Sequence, residues 1–222
     1  MQPTAALTTD TALFTLRPAA EGAEPALHLL LIRRAIDPFK GRWALLGGFV
    51  LPDEDLMASA RRELAEETAV EDVYLEQLRT FGAPGRDPRG RVVTVAYVGL
   101  VPSEALRPQG GSDADRAEWH PVADLPPLAF DHADIVEAAR ARLVAKLGYT
   151  TIAFQFLPER FTLSEAQAVY EAVQGAPVDK RNFRKQVLAT DHLVDTGEQR
   201  RGVGRPAALY RLRDPSAVHI IK

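Results

Sequence analysis

Three glutamates within one predicted helix, residues 54–69, limit how this chain can fold. Glu63, Glu66 and Glu67 are spaced i, i+3 and i+4, so their carboxylates share one side of that helix. A helical wheel places Glu63 and Glu67 on either side of Leu56, within the stripe that should face the core. Most acidic clusters are solvated surfaces, but carboxylates on a buried stripe are costly unless a partner compensates them. Mg²⁺ or Mn²⁺ accepts such oxygen ligands, so the pattern predicts a metal site.

The residues that precede this helix indicate a second ligand, an anion. Gly47 and Gly48 allow backbone amides to approach a ligand closely, and a helix N-terminus favours negative charge. Glu54 stands on the approach to the helix. Arg62 is expected to face away from the acids and to tie the helix to the preceding loop. Residues 48–70 are therefore predicted to bind a divalent metal together with a diphosphate.

The spacing of these residues resembles a known motif. Gly48, five residues, Glu54, seven residues and the run at 62–70 are similar to the Nudix box. Ala69 stands where the box usually has Gly, and Leu46 stands where close relatives usually have Pro, but neither departure removes a charge. The resemblance implies an α/β/α sandwich and metal-assisted attack of water on a diphosphate. It implies Glu63, Glu66 and Glu67 as metal ligands and Glu54, Glu66 and Glu67 as catalytic candidates, with Glu54 supporting the site or sharing the general-base role.

The segments around the box resemble the ADP-ribose-handling branch of the Nudix family. The similar text lies at residues 31–34 and 38–43 and at Pro84. The candidate ligand-binding residues are Arg33, Arg34, Phe39, Gly47, Gly48, Arg86 and Arg89. Either Arg33 or Arg34 has the alternative role of capping the sheet edge, and Phe39 has the alternative of core packing. Asp131 is expected to cap the helix that follows it, with His132 as a structural residue.

The order of predicted elements changes along the chain and indicates two domains. Strand candidates at 11–16, 26–35, 71–80, 91–101 and 117–121 are mixed with helices at 54–69 and 131–147, which is typical of an α/β or α+β domain. A boundary near residues 148–154 then gives domains 1–150 and 151–222. The second domain is predicted to begin with a helix at 161–173 that starts at Thr162 or Ser164. A turn, a helix at 180–189 capped by Asp179, and two strand candidates, 192–194 and 207–212, joined by a loop at 195–206, follow. That order predicts a winged helix-turn-helix.

Charge is distributed unevenly between these domains. Residues 179–213 hold nine basic and four acidic residues, a net charge of +5, whereas the remainder sums to −8. The helix at 180–189 should bury Phe183, Val187 and Leu188 and expose a basic face, which is either a plain solvated surface or a DNA contact. The candidate DNA-binding residues are Lys180, Arg181, Asn182, Arg184, Lys185, Arg200, Arg201 and Arg205.

Together, the two domains resemble the Nudix-related transcriptional regulators of NAD metabolism (NrtR). The similar C-terminal text begins at Phe161, Asp179 and Gly204, and the resemblance extends from residue 12 to residue 213. It implies a homodimeric regulator that binds a double-stranded DNA operator and senses ADP-ribose or a related nucleotide. The rival hypothesis is an enzyme, a Mg²⁺-dependent ADP-ribose pyrophosphatase, whose C-terminal module serves dimerisation only.

Composition narrows the setting in which the protein acts. There is no cysteine, so disulfides, thiolate zinc sites and cysteine nucleophiles are excluded. Residues 1–10 lack the basic start and apolar run of a signal peptide. The longest apolar runs, such as residues 29–32, are too short to cross a bilayer. We therefore expect a cytoplasmic protein with no membrane partner.

Overall fold

The computed structural model describes residues 4–18, 23–68, 73–102, 114–201 and 206–221. Ala69 and Arg205, both singled out in the sequence, lie outside the described residues. The contacts divide the chain into two compact units. The described residues of the first unit are 4–15, 28–68, 73–101 and 114–142. Those of the second unit are 16–18, 23–27, 102, 143–201 and 206–221.

The first unit is built on a mixed sheet, which has seven strands within the described ranges. The strands are β1 (Ala6–Pro18), β2 (Pro25–Arg34), β3 (Trp43–Ala44), β4 (Leu46–Phe49), β5 (Tyr74–Phe81), β6 (Val92–Leu100) and β7 (Ala114–Pro121). The main path runs β3-β2-β1-β6-β5, with β4 paired to β1 and β7 paired to β2. Strand β1 is parallel to β6, whereas β4, β7 and β5 pair antiparallel with β1, β2 and β6. The mixed α/β character predicted from the sequence is confirmed.

Strand β6 is buried on both faces of the sheet, which explains why its sequence is almost continuously apolar. On one face, Val95 and Tyr97 pack against Ala60 of helix α1 (Leu56–Thr68). On the other face, Ala96 and Val98 are equally buried, although the pleat turns them away from α1. A second helix, α2 (His132–Leu147), follows the last strand. Helix α1 also packs beside strand β4, and the second half of α1 carries the glutamates, with Glu63 lying against Gly48.

The second unit contains the winged helix that the sequence predicted. After a 3₁₀ helix (Ile152–Phe156) come β8 (Phe161–Thr162), α3 (Leu163–Gln174), α4 (Lys180–Ala189), β9 (Leu193–Arg200) and β10 (Ala207–Leu212). The three strands form a sheet in the order β8-β10-β9. Thr162 and Glu165 form a reciprocal capping box on α3, and Asp179 caps α4, so short polar signals set where both helices begin. Of the helices in the described residues, none is long and apolar enough to cross a bilayer.

Candidate functional site

Arg62 lies at the centre of the acidic cluster on α1. Its Nε is 3.0 Å from Glu54 Oε2, its Nη2 is 2.8 Å from Glu54 Oε1, and its Nη1 is 2.7 Å from Glu63 Oε1. Nη2 also donates to the Phe49 carbonyl at 3.2 Å, and Nη1 is 3.6 Å from Glu66 Oε2. The prediction that Arg62 ties the helix to the preceding loop is confirmed. The prediction that Arg62 faces away from the acids is wrong, because its long side chain reaches back to Glu63 and Glu66.

The two carboxylates that Arg62 binds most closely differ in protonation behaviour. The guanidinium of Arg62 and the backbone amide of Leu51 donate to Glu54 and lower its pKa to about 2. Burial raises the pKa of Glu63, and the hydrogen bond from Arg62 opposes that rise. Glu54 therefore stays ionised in its contact with Arg62, whereas burial makes the ionised form of Glu63 less favourable.

The three glutamates of the motif do not share one environment. Glu67 is buried, at 5% exposure, and the Glu63 side chain is 14% exposed, so both lie on the inward stripe as expected. The Glu66 side chain is 50% exposed, so the expectation that all three point inward is wrong for Glu66. The wheel places position 66 on the far side of Glu63 from Glu67, at the edge of the stripe. In the described part of the chain, no three acidic, histidine or cysteine side chains converge on one point as metal ligands.

The paired glycines are required by close packing. Gly48 lies against the Glu63 carboxylate, and a Cβ on Gly48 would sit 2.1 Å from Glu63 Oε1. Gly47 has φ +154°, and a Cβ there would sit 2.1 Å from the Thr9 carbonyl oxygen. Any side chain at Gly48 would displace Glu63. The two glycines therefore let β4 pair with β1 while a carboxylate from α1 packs on the strand.

A cavity of about 80 Å³ adjoins the paired glycines. Three of the predicted ligand-binding arginines, Arg34, Arg86 and Arg89, line it together with Phe130. Arg33 does not line this cavity, and its Nε donates to the Gly41 carbonyl at 3.2 Å. Of the cationic candidates, then, three gather beside the motif and one is held by the turn after β2.

Arg86 belongs to a buried ion network that lines this cavity. Its side chain is 4% exposed and bonds Asp131 at 2.6 and 2.8 Å, with Asp10 at 3.5 Å. His132 Nδ1 accepts a hydrogen bond from the Leu45 amide at 2.9 Å, which confirms its structural role, and burial lowers its pKa. The expected capping by Asp131 differs from the structure, in which the carboxylate binds Arg86 instead. A ligand contact of Arg86 stays a prediction.

Sequence reasoning missed three residues of this region, Asp10, Asp87 and Phe130. Asp10 is buried on β1, and Asp87, also buried, holds Arg89 through two carboxylate contacts of 2.6 and 3.0 Å. The signal for Asp10 was a polar run, residues 8–11, at the start of an apolar strand. Phe130 carried no comparable signal, since its importance lies in contacts with residues far away in sequence.

A larger cleft of about 1070 Å³ lies beside the small cavity. It runs between the loop at 81–86 and the first half of α2, which contributes Asp134 and Glu137 next to Asp131. Phe39 lines this cleft, and Phe130 and Arg86 line both spaces. The cleft has the volume of a nucleotide-sized pocket, and the small cavity adjoins it at Arg86 and Phe130.

Helix α4 presents a basic surface in the second unit. Phe183 and Val187 are buried, and the Phe183 ring meets Tyr170 of α3 at 5.0 Å. Leu188, predicted to join this apolar face, is 49% exposed because it lies a further 100° around the helix. The exposed side chains of α4 include Lys180, Arg181, Asn182, Arg184, Lys185 and Gln186. The predicted basic face is thus present and open to a partner.

The predicted wing arginines occupy different settings. Arg200 lies on β9 and not in a loop, because β9 continues to pair with β10 up to Ala207. Its guanidinium bonds the Glu165 carboxylate and donates to the Arg160 carbonyl at 3.1 Å, so part of its charge is already compensated. Arg201 is exposed immediately after the strand, and Arg205 is outside the described residues.

Two family models match successive parts of the chain, in the same order as the two parts of the fold. Residues 15–139 match the NUDIX domain family, and residues 153–212 match the NrtR DNA-binding winged helix domain. Fold and site therefore define a Nudix-domain protein with a C-terminal winged helix. Over 213 residues the chain is 37% identical to the ADPR responsive transcriptional repressor NtrR of Acinetobacter baylyi, covering 94% of this chain and 82% of that protein. The chain belongs to the NrtR family of Nudix-related transcriptional regulators.

Solved structures of one relative match both parts of the fold. Shewanella oneidensis NrtR complexed with a 27mer DNA superposes with a TM-score of 0.83 and 43% identity, covering 93% of each chain. The NUDIX domain of the same protein complexed with ADP ribose gives a TM-score of 0.57 and 40% identity, covering 64% of this chain and 90% of that domain. The fold predicted from the sequence, a Nudix sandwich followed by a winged helix, is confirmed.

Nudix domains typically use a divalent metal ion, and the carboxylates here are donors of the right type, although those of the described residues do not converge on one point. Glu63, Glu66 and Glu67 supply hard oxygen donors within one helical turn. Gly48 leaves the space that the Glu63 carboxylate occupies. A metal ion bound through Glu63 would compete with Arg62 for that carboxylate, because one carboxylate oxygen is 2.7 Å from the guanidinium.

Proposed function

We propose that the protein is a DNA-binding transcriptional regulator whose Nudix domain senses ADP-ribose or a related NAD-derived nucleotide and so controls genes of NAD metabolism. The observation that carries the proposal is the presence in one chain of a nucleotide-type site and an exposed basic α4. The Acinetobacter relative is named an ADPR responsive repressor, which favours repression over activation. We place the regulator in the cytoplasm with its operator.

The nucleotide is proposed to bind at the small cavity and the adjoining cleft. Arg34 and Arg89 line the small cavity beside Gly47 and Gly48, so a diphosphate there meets two guanidinium groups. The cleft next to it accommodates the remainder of the nucleotide. Phe130 lines both spaces. This arrangement supports a ligand that carries a central diphosphate, as ADP-ribose does.

Mg²⁺, or Mn²⁺ in its place, is the proposed divalent ion. Glu63, Glu66 and Glu67 would hold it, and it would neutralise part of the charge of a bound diphosphate. Glu54 would stay with Arg62, since its pKa of about 2 keeps it ionised and bonded. In this scheme the affinity for the metal depends on how strongly the Arg62 guanidinium competes for the Glu63 carboxylate.

DNA recognition is proposed to use α4, with Lys180, Arg181, Arg184 and Lys185 contacting phosphates and Asn182 placed to read base edges. Helix caps fix the start of α4, so these side chains are presented as one rigid set. Arg201 and Arg205 would add phosphate contacts from the wing, and Arg200 would do so only by leaving Glu165. We propose domain limits of 1–150 and 151–222 and a homodimer, which matches an operator with two related half-sites.

A mobility-shift assay on the promoter of its own operon tests the DNA-binding half of the proposal. The expected result is a sequence-specific shift at moderate salt that survives an excess of unrelated DNA. Size-exclusion chromatography with light scattering on the same sample reports whether the protein is a dimer. Folded dimer that shifts specific and unrelated DNA equally would remove the regulator hypothesis.

Calorimetry with ADP-ribose and Mg²⁺, combined with product analysis, tests the ligand half. Sensing predicts saturable binding with intact ADP-ribose recovered afterwards. The rival enzyme hypothesis, which rests on the unbroken set of charged residues in the box, predicts AMP and ribose 5-phosphate, and loss of that turnover in Glu67→Gln. Absence of both binding and turnover would contradict the proposed ligand.

A further inference from the structure

Two phenylalanines of the nucleotide site have an unusual backbone. Phe39 has φ 65° and Phe130 has φ 52°, and within the described residues they alone combine a positive φ with a side chain. The left-handed region is unfavourable for a bulky residue, so it persists only where surrounding structure enforces it, and such positions cluster at ligand sites. The two rings come from segments 91 residues apart in sequence, and their centroids lie 4.8 Å from each other.

The left-handed backbone at position 130 places the Phe130 ring beneath two arginines. The Cζ of Arg34 is 4.9 Å from the ring centroid, and the Cζ of Arg89 is 5.6 Å from it. A guanidinium over an aromatic ring is attracted because the π electrons give the face of the ring a partial negative charge. One ring therefore contacts two of the arginines that line the small cavity.

Each of these arginines is also held along one edge. Arg34 Nε donates to the Pro38 carbonyl at 2.8 Å, and Arg89 Nη2 bonds Asp87 Oδ2 at 2.6 Å. An edge contact alone leaves a planar guanidinium free to tilt, and a contact with its face removes that freedom. Phe130 supplies a face contact for both, and the Phe49 ring supplies a second one for Arg89 at 5.1 Å. Phe130 also lines both the small cavity and the larger cleft.

We propose that Phe130 is a positioning residue for diphosphate binding, which orients the guanidinium groups of Arg34 and Arg89 toward the cavity beside Gly47 and Gly48. The inference rests on the proposed function, since it takes the diphosphate of an ADP-ribose-type ligand as the bound group. Phe130 acts through the two arginines and not by contact with the phosphates. Loss of the Phe130 ring therefore lowers the affinity for any ligand that carries a diphosphate.

The test compares Phe130→Leu, which removes the aromatic face, with Phe130→Tyr, which retains it. Affinities for ADP-ribose and for inorganic pyrophosphate are measured by calorimetry on the full-length protein. Phe130→Leu is expected to weaken both ligands about tenfold, and Phe130→Tyr to stay within about twofold of the unaltered protein. Thermal unfolding and the DNA shift without ligand serve as controls for folding. If Phe130→Leu does not fold, Phe130→Met replaces it, because methionine adapts to irregular spaces.

A double-mutant cycle separates positioning from packing. When Arg34 is already Gln, Phe130→Leu should cost less than about threefold in ADP-ribose affinity, because one of the groups it orients is gone. Full additivity of the two losses would overturn the inference, as would unchanged affinity in folded Phe130→Leu or an equal loss in Phe130→Tyr. Failure of the unaltered protein to bind ADP-ribose and pyrophosphate would instead overturn the proposed function, and this inference with it.

Discussion

Among single residues, Arg62 determines how the acidic helix is held to the loop before it. It forms two bonds to Glu54, one to Glu63 and one to the Phe49 carbonyl, so one side chain joins β4, the loop and α1. Glu54 is the partner whose protonation changes this junction, because its pKa is lowered to about 2 from an ordinary 4.5.

Stability should therefore depend on pH through Glu54. A lowered folded-state pKa means that Glu54 contributes stability that is complete above pH 4.5 and is lost as the pH falls toward 2. Thermal unfolding between pH 7 and pH 2 measures this. The difference in Tm between the unaltered protein and Glu54→Gln should shrink as pH falls through that window. Glu66→Gln, at an exposed carboxylate 3.6 Å from Arg62, is the matched control and should show a small difference throughout.

A second prediction for a single residue concerns the contribution of Arg86 to the free energy of unfolding. Arg86→Met leaves the carboxylates of Asp10 and Asp131 without their buried cation, and breaking such a pair costs about 3–5 kcal/mol. Denaturation in urea reports the loss. The control is Arg142→Met, whose pair with Glu76 is 40% exposed on the arginine side and should cost about 1 kcal/mol or less. Equal losses in the two variants would show that Arg86 does not stabilise the fold as a buried cation.

The chemistry of these residues was predictable to the extent that it is local in sequence. Fixed spacing within one helix identified Glu63 and Glu67 as inward-facing carboxylates. A helical wheel follows the direction of each Cβ, so it missed how far the Arg62 side chain extends. Asp10 and Phe130 depend on partners that the fold brings from distant segments, and no local pattern carries that information.

For the secondary-structure elements, boundaries were predicted well where a cap defines them. Asp179 set the predicted start of α4 at residue 180, as observed. For α3 the sequence left Thr162 and Ser164 open as starts, and the capping box of Thr162 with Glu165 makes Thr162 the cap. Strand ends were predicted less well, because a strand extends as far as its neighbour pairs with it. Strand β1 begins at Ala6, with its early polar residues covered by β4, and β9 reaches Arg200 through β10.

Among the secondary-structure elements, helix α4 is predicted to bind the phosphates of the operator. Replacing Arg184 and Lys185 with Gln should weaken operator binding and reduce the steepness of its salt dependence by about one unit for each phosphate that the helix no longer neutralises. Fluorescence anisotropy at several salt concentrations measures both quantities. The matched control is Arg160→Gln, an exposed arginine of the same unit that is paired with Glu198. A salt slope unchanged by the α4 substitutions would exclude α4 as the phosphate-binding helix.

For the whole molecule, two units with separate chemistry must influence each other if the protein is a sensor. Binding of a nucleotide changes DNA affinity only when the nucleotide binds the DNA-free and DNA-bound forms with different strength. The coupling is reciprocal, so operator DNA must weaken nucleotide binding by the same factor that the nucleotide weakens DNA binding.

Titration of ADP-ribose into the preformed complex with operator DNA, followed by fluorescence anisotropy, tests this sensor account most directly. We expect ADP-ribose to release the DNA at concentrations that saturate the Nudix site, and the double variant Arg34→Gln/Arg89→Gln to require more ADP-ribose for the same release. Operator affinity that stays constant while calorimetry shows the Nudix site filled would contradict it.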